Sequence, residues 1–241
     1  MILTYYLIIL AYFSLGIVAF YFINRKKEKK LARRSWKKTI IYFFIIQIIF
    51  FSIFVNPLVF RCIAVFIIIL GLYELFKLFR ESEFKRKSVF YVSLLVYSVF
   101  SLGFYIFSGM DKEIIFFAFA ILSIFDSFSQ ITGQLWGRKK LFPGISPEKT
   151  IAGLIGGMSA AMLSVLIFKN LVYDRLTDAM IMGAGVAFFA FIGDASGSCY
   201  KRKYNVKDFS NLIPQHGGIL DRFDSLIAGG AWVTLYVLLV T

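Results

Sequence analysis

Eight apolar runs of about 17–24 residues, interrupted by few charges, dominate the sequence. An α-helix rises 1.5 Å per residue, so a run of this length spans the ~30 Å hydrocarbon core of a bilayer. A helix of a soluble protein would instead carry a polar stripe on its solvent side. An open chain in lipid can satisfy its backbone hydrogen bonds only as helices. The runs therefore predict an all-α, polytopic integral membrane protein.

The predicted spans are Met1–Asn24, Thr39–Val55, Leu58–Phe76, Ser88–Met110, Ile114–Gln134, Ile151–Phe168, Ala179–Ser198 and Ser225–Val240. Asn56-Pro57 predicts a tight turn between the second and third spans. Basic residues follow the first run instead of preceding it, which predicts a retained span and not a cleaved signal peptide. We divide the chain into four N-terminal membrane helices, residues 1–110, and a catalytic membrane region of four helices, residues 111–241.

The positive charge lies on one side of the predicted membrane. If the N-terminus is outside, segments 25–38, 77–87, 135–150 and 199–224 are cytoplasmic and hold 23 of the 27 Lys and Arg residues. The positive-inside rule thus predicts this orientation, with the polar site at the cytoplasmic face. We expect the membrane to be a bacterial inner membrane. The basic residues behind the net charge of +13 lie in short loops beside the bilayer. This position favours contact with anionic lipid headgroups and argues against a nucleic-acid partner.

Two carboxylates, Asp126 and Asp194, interrupt otherwise apolar spans. A charged carboxylate at a helix centre costs roughly 2.5–3.5 kcal/mol on insertion scales, so such groups usually face a cavity or a partner. Each of them could simply pair with a basic side chain near the interface. Together they make the fifth and seventh spans candidates for a polar site.

The segment before the eighth span, residues 198–224, is the most informative stretch. Asp221 and Asp224 are three residues apart and share one face of a helix start. Two carboxylates there could hold a hard divalent cation such as Mg²⁺, which prefers oxygen ligands, and Asp194 could complete the site. Gly217 and Gly218 would allow a close backbone approach beside the single histidine, His216.

A dense cationic field accompanies these acids, formed by Lys201, Arg202, Lys203 and Lys207. Carboxylates beside excess Lys and Arg suit a metal-bound polyphosphate, because the cations neutralise charge that develops on transfer. The lysines alone would equally suit a solvated loop that binds anionic lipid. A second stretch, residues 126–153, ends in Ser146-Pro147-Glu148-Lys149-Thr150. It predicts Ser146 as a helix N-cap, Pro147 at the first helical position and Lys149 in the first turn.

Residues 198–224 contain a characteristic set of positions: Ser198, Lys201, Arg202, Lys207, Asp208, Pro214, His216, Gly217, Gly218, Asp221, Arg222 and Asp224. This set resembles the signature of the phosphatidate cytidylyltransferases, or CDP-diacylglycerol synthases. Ser146-Pro147-x-Lys149-Thr150 and Asp126…Gly133…Gly137-Arg138 resemble that family in the same order. The resemblance covers residues 126–224. It implies that CTP and phosphatidic acid are converted to CDP-diacylglycerol and pyrophosphate with Mg²⁺ or another divalent cation.

The resemblance also implies roles for individual residues. Asp194 and Asp221 would bind metal, with Asp224 close enough to share a second, monovalent cation. Phosphates would be clamped by Lys149, Lys201, Arg202, Lys207 and Arg222. His216 would orient the turn or a phosphate, and Asp126 would help with the nucleotide or with helix packing. The remaining substrate contacts would come from Arg138, Ser146, Thr150, Gly217 and Gly218. A homodimer is suggested by the resemblance alone.

Two departures from the family pattern keep alternatives open. Gly197 stands where the family usually has glutamate, and Ser129-Gln130 stands where it usually has alanine and an aromatic residue. The chain could therefore act on another lipid phosphate, or be a non-catalytic diverged paralogue. A transporter is a further alternative, but the polar residues gather at one face instead of tracing a path through the bilayer.

Overall fold

The computed structural model describes residues 2–25, 28–172, 175–213 and 217–240. Within these residues the helices are α1 (Ile2–Arg25), α2 (Lys29–Val55), α3 (Pro57–Glu81), α4 (Lys87–Phe107), α5 (Lys112–Trp136), α6 (Ile151–Phe168), α7 (Leu176–Lys203) and α8 (Leu220–Val240). A short 3-10 turn, Lys169–Leu171, follows α6. All eight helices are long and apolar enough to cross a membrane. The predicted all-α membrane architecture and the number of spans are confirmed.

The turn between α2 and α3 follows directly from its sequence. The Asn56 side chain accepts a hydrogen bond from the Leu58 amide at 2.8 Å, and Pro57 is the first residue of α3. Proline suits that position because its missing N–H would have no partner inside the helix. The predicted Asn-Pro turn is therefore confirmed as an N-capped helix start.

Helix α5 lies at the centre of the bundle, with an almost continuously buried stretch from Ile115 to Phe125. It packs most closely on α6, where a Cβ at Gly157 would lie 2.8 Å from the Phe125 carbonyl oxygen. Elsewhere in the bundle α8 packs on α4, where a Cβ at Gly103 would lie 2.8 Å from the Ala231 Cα. Small residues at membrane helix contacts let the backbones approach, because dispersion there replaces the hydrophobic driving force.

A short hairpin departs from the all-helical prediction. Strand β1 (Lys140–Phe142) pairs antiparallel with β2 (Ser146–Thr150), with Lys140 opposite Thr150. The prediction of Ser146 as N-cap and Pro147 as first helical residue was wrong. Helix α6 begins at Ile151, and Thr150 is its N-cap, accepting from the Gly153 amide at 3.0 Å. Pairing with β1 holds residues 146–150 extended, so the helix can begin only where the ladder ends.

The α4–α8 contact yields a stability prediction. Gly103→Ala should destabilise the protein by about 1–3 kcal/mol, because the new methyl group would overlap the Ala231 backbone. Gly16→Ala is the matched control, since nothing lies within 4 Å of a Cβ there. The control should be neutral or slightly stabilising, because alanine favours a helix over glycine. Unfolding in mixed detergent micelles measures both changes, and equal effects would contradict this account of the contact.

Candidate active site

A cavity of about 690 Å³ opens between the helices and collects most of the predicted site residues. Its polar wall comes from α5, β2, α7, the segment after α7 and α8. The predicted residues that line it are Asp126, Ser146, Lys149, Thr150, Asp194, Lys201, Arg202, Lys207, Asp221, Arg222 and Asp224. Arg138 is exposed between α5 and β1, outside this wall. The role predicted for His216 falls on a residue outside those that the structure describes.

The hairpin places Lys149 against α7. Its Nζ lies 3.0 Å from Asp194 Oδ2 and 4.7 Å from the centre of the Phe191 ring. Ser198, one turn further along α7, donates to Asp194 Oδ1 at 3.4 Å. About 45% of the Asp194 side chain stays exposed, whereas Lys149 is mostly buried. The Asp194 carboxylate therefore faces the cavity, and the Lys149 ammonium group binds it on one side.

Asp221 lies in a buried ion pair with Lys201. Asp221 Oδ1 is 2.5 Å from Lys201 Nζ, and only 3% of the aspartate side chain is exposed. Its Oδ2 accepts from the Phe209 amide at 2.8 Å and the Gly218 amide at 2.7 Å. Both oxygens are thus engaged by the protein. Such pairing and hydrogen bonding offset the cost of burying the charge, and the metal-binding role of Asp221 stays a prediction.

Glycines on α7 bring Asp224 of α8 next to Asp194. A Cβ at Gly193 would lie 2.5 Å from the Asp224 carbonyl oxygen, and one at Gly197 would lie 2.7 Å from Asp224 Oδ2. Asp224 Oδ1 accepts from the Ser225 amide at 2.7 Å. Oδ2 is buried and has no hydrogen-bond partner among the described residues. The glycine in place of the family's usual glutamate therefore allows the Asp224 carboxylate to lie against α7.

The remaining cationic residues differ in how they are held. Arg202 donates to the carbonyl oxygens of Ile145 at 3.0 Å and Val206 at 2.8 Å, so it fastens the hairpin to the segment after α7. Lys207 lies 3.9 Å from Glu148, and both side chains are largely exposed. An exposed pair of this kind contributes little to stability. Lys207 can therefore move toward an anionic ligand at low cost.

A divalent cation is implied by the resemblance to the cytidylyltransferases, and the residues present fit one. Asp126, Asp194 and Asp224 all line the cavity, and Asp224 Oδ2 is a buried acceptor without a hydrogen-bond partner among the described residues. Across the described ranges, no group of three or more His, Cys, Asp or Glu side chains is arranged to hold a metal. Mg²⁺ usually takes one or two carboxylates and completes its shell with water and substrate phosphates. The site suits a cation shared with a phosphate.

A third acidic residue inside the predicted apolar runs, besides Asp126 and Asp194, was missed by the sequence reasoning. Glu74 of α3 is fully buried and accepts hydrogen bonds from Ser210 Oγ and from the amides of Ile219 and Leu220. The signal was present, because Glu74 lies inside the third predicted apolar run in the same way as Asp126 and Asp194 lie in theirs. Glu74 lies two residues before the end of that run, where an acidic side chain is expected to reach the membrane interface.

The buried ion pair gives a prediction that does not depend on function. Lys201→Met should destabilise the protein by about 3–5 kcal/mol, because it leaves Asp221 buried without its cation. Adding Asp221→Asn should recover part of that loss by removing the uncompensated charge.

Lys77→Met is the control, since Lys77 forms a more exposed pair with Glu81 at 3.8 Å. Its effect should stay below about 1 kcal/mol. The free energy of unfolding in mixed micelles measures all three variants. A Lys201→Met loss no larger than that of Lys77→Met would contradict the buried-pair assignment.

Comparison with known proteins is consistent with this site. The chain matches the model of the cytidylyltransferase family over residues 88–240. A protein of Staphylococcus epidermidis is 36% identical over 154 residues, which are 62% of this chain and 56% of that protein. A Haemophilus influenzae protein is 38% identical over 121 residues (48% and 42%), and a Rickettsia bellii protein is 39% identical over 126 residues (49% and 54%).

All three relatives are named phosphatidate cytidylyltransferase, and the chain spans about half the length of each. The matched segment begins at the start of α4 and contains α5, the hairpin, α7, the segment after α7 and α8, which together carry every cavity-lining residue of the predicted site. The chain belongs to the cytidylyltransferase family.

Proposed function

We propose that the chain is a membrane-bound CTP:phosphatidate cytidylyltransferase that forms CDP-diacylglycerol and pyrophosphate. The observation that carries this proposal is the composition of the cavity. Acidic and basic side chains from α5, β2, α7 and α8 share it with an apolar wall. A polar site for a metal-bound nucleotide thus adjoins a surface suited to a lipid.

The apolar wall supports a lipid acceptor. It is formed by α1 and α5 with one residue of α2, and its residues include Ile9, Tyr12, Phe13, Ile17, Phe20, Ile46, Phe119, Ile124, Phe125 and Phe128. A lipid phosphate bound at the polar end could keep its acyl chains along these helices, within the hydrocarbon layer. The chains would not leave the hydrocarbon layer, so binding of the phosphate would expose no apolar surface to water.

The chemistry requires positioning more than proton transfer. A phosphate oxygen of the lipid forms a bond to the α-phosphorus of CTP, and the bond from that phosphorus to the β-phosphate oxygen breaks, releasing pyrophosphate. The lipid phosphate is already ionised, so no strong general base is needed. Catalysis then depends on alignment and on neutralising the charge of the leaving pyrophosphate. Lys149, Arg202 and Lys207 line the cavity where they could contact these phosphates.

The proposal assigns a divalent cation to Asp194 and Asp224. Asp194 is half exposed to the cavity, and Asp224 Oδ2 is unpaired among the described residues. When bound, the cation would supply positive charge that offsets the negative charge of the phosphates. Asp221, held by Lys201, would stand beside it and could exchange that lysine for the metal. Lys149 would neutralise Asp194 until the nucleotide arrives.

The proposal includes sidedness and assembly. The cavity opens beside the segments that hold most of the Lys and Arg residues, which supports a cytoplasmic site. The matched relatives come from bacteria, which supports a bacterial inner membrane. A homodimer, suggested by the family resemblance, can be tested from the mass of the solubilised protein.

The activity is tested with purified protein, labelled CTP and a panel of lipid phosphates in mixed micelles. We expect pyrophosphate release with phosphatidic acid, its loss on chelation and its recovery with Mg²⁺. Another lipid phosphate used faster than phosphatidic acid would redirect the acceptor assignment. Absence of release with every lipid phosphate would refute the proposed function.

Asp194→Asn should reduce turnover about 100-fold or more, because a neutral amide cannot offset a bound cation. The matched control is Asp178→Asn in the first turn of the same helix, away from the cavity. The control should retain wild-type turnover. Equal activity of the two variants would remove Asp194 from the metal site.

A further inference from the structure

Glu74 occupies a position that is costly for an acid. It lies in a membrane-spanning helix and is 0% exposed. An acidic side chain in such a helix is expensive unless partners compensate it, and residues of this kind usually serve function. Three donors compensate it here. Its Oε1 accepts from Ser210 Oγ at 2.5 Å and the Ile219 amide at 3.0 Å, and its Oε2 accepts from the Leu220 amide at 2.7 Å.

Two of these donors lie at the start of α8, because Leu220 is its first residue and Ile219 directly precedes it. The first amides of a helix have no partner within it, and they form the positive end of the helix dipole. An N-cap residue normally accepts from them within the same segment. In this chain the acceptor comes from α3, about 146 residues earlier in the sequence. Glu74 therefore caps α8 from a different helix.

Asp221 completes a second set of bonds in the same turn. Its Oδ2 accepts from the amides of Phe209 and Gly218, which are neighbours of the groups that bind Glu74. The donors thus alternate between two carboxylates. Phe209 and Gly218 bind Asp221, while Ser210 and Ile219 bind Glu74. Both ends of the segment from Phe209 to Leu220 are tied in this way.

Gly218 shows how closely Glu74 approaches the turn. A Cβ at Gly218 would overlap the Glu74 carboxylate. Only glycine leaves room for the carboxylate to reach the Ile219 and Leu220 amides. The second glycine of the predicted Gly217-Gly218 pair is therefore required by contact with α3, whatever substrate the turn also contacts.

We propose that Glu74 is a positioning residue that fixes the turn carrying Asp221, and through it the Lys201–Asp221 pair at the cavity wall. Glu74 does not line the cavity. By this geometry it does not contact a substrate bound there. It also precedes residue 88, where the family match begins. The three hydrogen bonds from Ser210, Ile219 and Leu220 to Glu74 are called the Glu74 clamp below. The expected effect on turnover rests on the proposed function, whereas the clamp does not.

Hydrogen exchange tests the clamp without reference to activity. Glu74→Gln keeps the size of the side chain, but its NH₂ group must face at least one of the three donors and cannot accept from it. We expect the peptide covering residues 217–223 to exchange about tenfold faster or more, because a buried donor loses its partner. Peptides from α4 should keep their wild-type rates.

Glu81→Gln is the matched control. It makes the same chemical change two turns further along α3, where Glu81 is exposed and pairs with Lys77. It should leave exchange in residues 217–223 unchanged. Ser210→Ala is the milder second variant, which removes one donor and keeps the carboxylate. It should speed exchange by less than Glu74→Gln, and it keeps the test usable if Glu74→Gln does not fold.

Turnover then tests whether the clamp positions the site. We expect Glu74→Gln to lower kcat about 10- to 100-fold with little change in the KM for CTP, because a small misplacement of the reacting groups slows chemistry. Unchanged exchange in both Glu74→Gln and Ser210→Ala would overturn the clamp. Faster exchange with unchanged kcat would overturn the positioning role. An inactive wild-type protein would refute the proposed function alone, and the exchange rates would still decide the clamp.

Discussion

The cost of burying acidic side chains between membrane-spanning helices is the constraint on which this structure depends. An ionised carboxylate that leaves water without a partner costs several kcal/mol. Asp194 is paired with Lys149, Asp221 with Lys201 and two amides, and Glu74 with a hydroxyl and two amides. Each set of partners comes from another element. The acids therefore join parts of the chain that are far apart in sequence.

Close helix contacts provide the second requirement of the site. Gly193 and Gly197 let α8 approach α7 until Asp224 lies beside the α7 backbone. A larger side chain at Gly193 would overlap the α8 backbone and separate the two helices, and one at Gly197 would displace the Asp224 carboxylate. The glycines thus concentrate negative charge in one place. That concentration is unfavourable by itself, and it suits a site that receives cations together with its nucleotide.

The site also depends on helices that precede the matched segment. Helix α1 forms part of the apolar wall of the cavity, α2 adds Ile46 and several polar residues to its lining, and α3 supplies Glu74 to the turn before α8. The acids of the cavity belong instead to the matched region after residue 88, as do all of its Lys and Arg residues except Lys38 of α2. This division separates two tasks. The matched region carries the groups suited to phosphate chemistry, and the earlier helices support that region and offer a surface for lipid.

The sequence by itself determined the eight membrane helices, because a run of about 20 apolar residues has one stable backbone form in lipid. It also identified Asp126, Asp194, Asp221 and Asp224, since charged residues stand out against an apolar background. Orientation in the membrane, the bound metal and the role of His216 stay predictions. The helices and these four aspartates could be identified because local composition and spacing along the chain are sufficient to predict them.

Only the tertiary structure decided how these residues are held. Local preference indicated a helix start at Ser146, but pairing with β1 keeps residues 146–150 extended and moves the start to Ile151. The Lys201 pair that engages Asp221 and the contacts of Glu74 with Ser210 and Leu220 join residues 20 to 146 positions apart. No local pattern specifies such partners. They are selected when packed helices bring a buried charge and unpaired backbone amides within hydrogen-bonding distance.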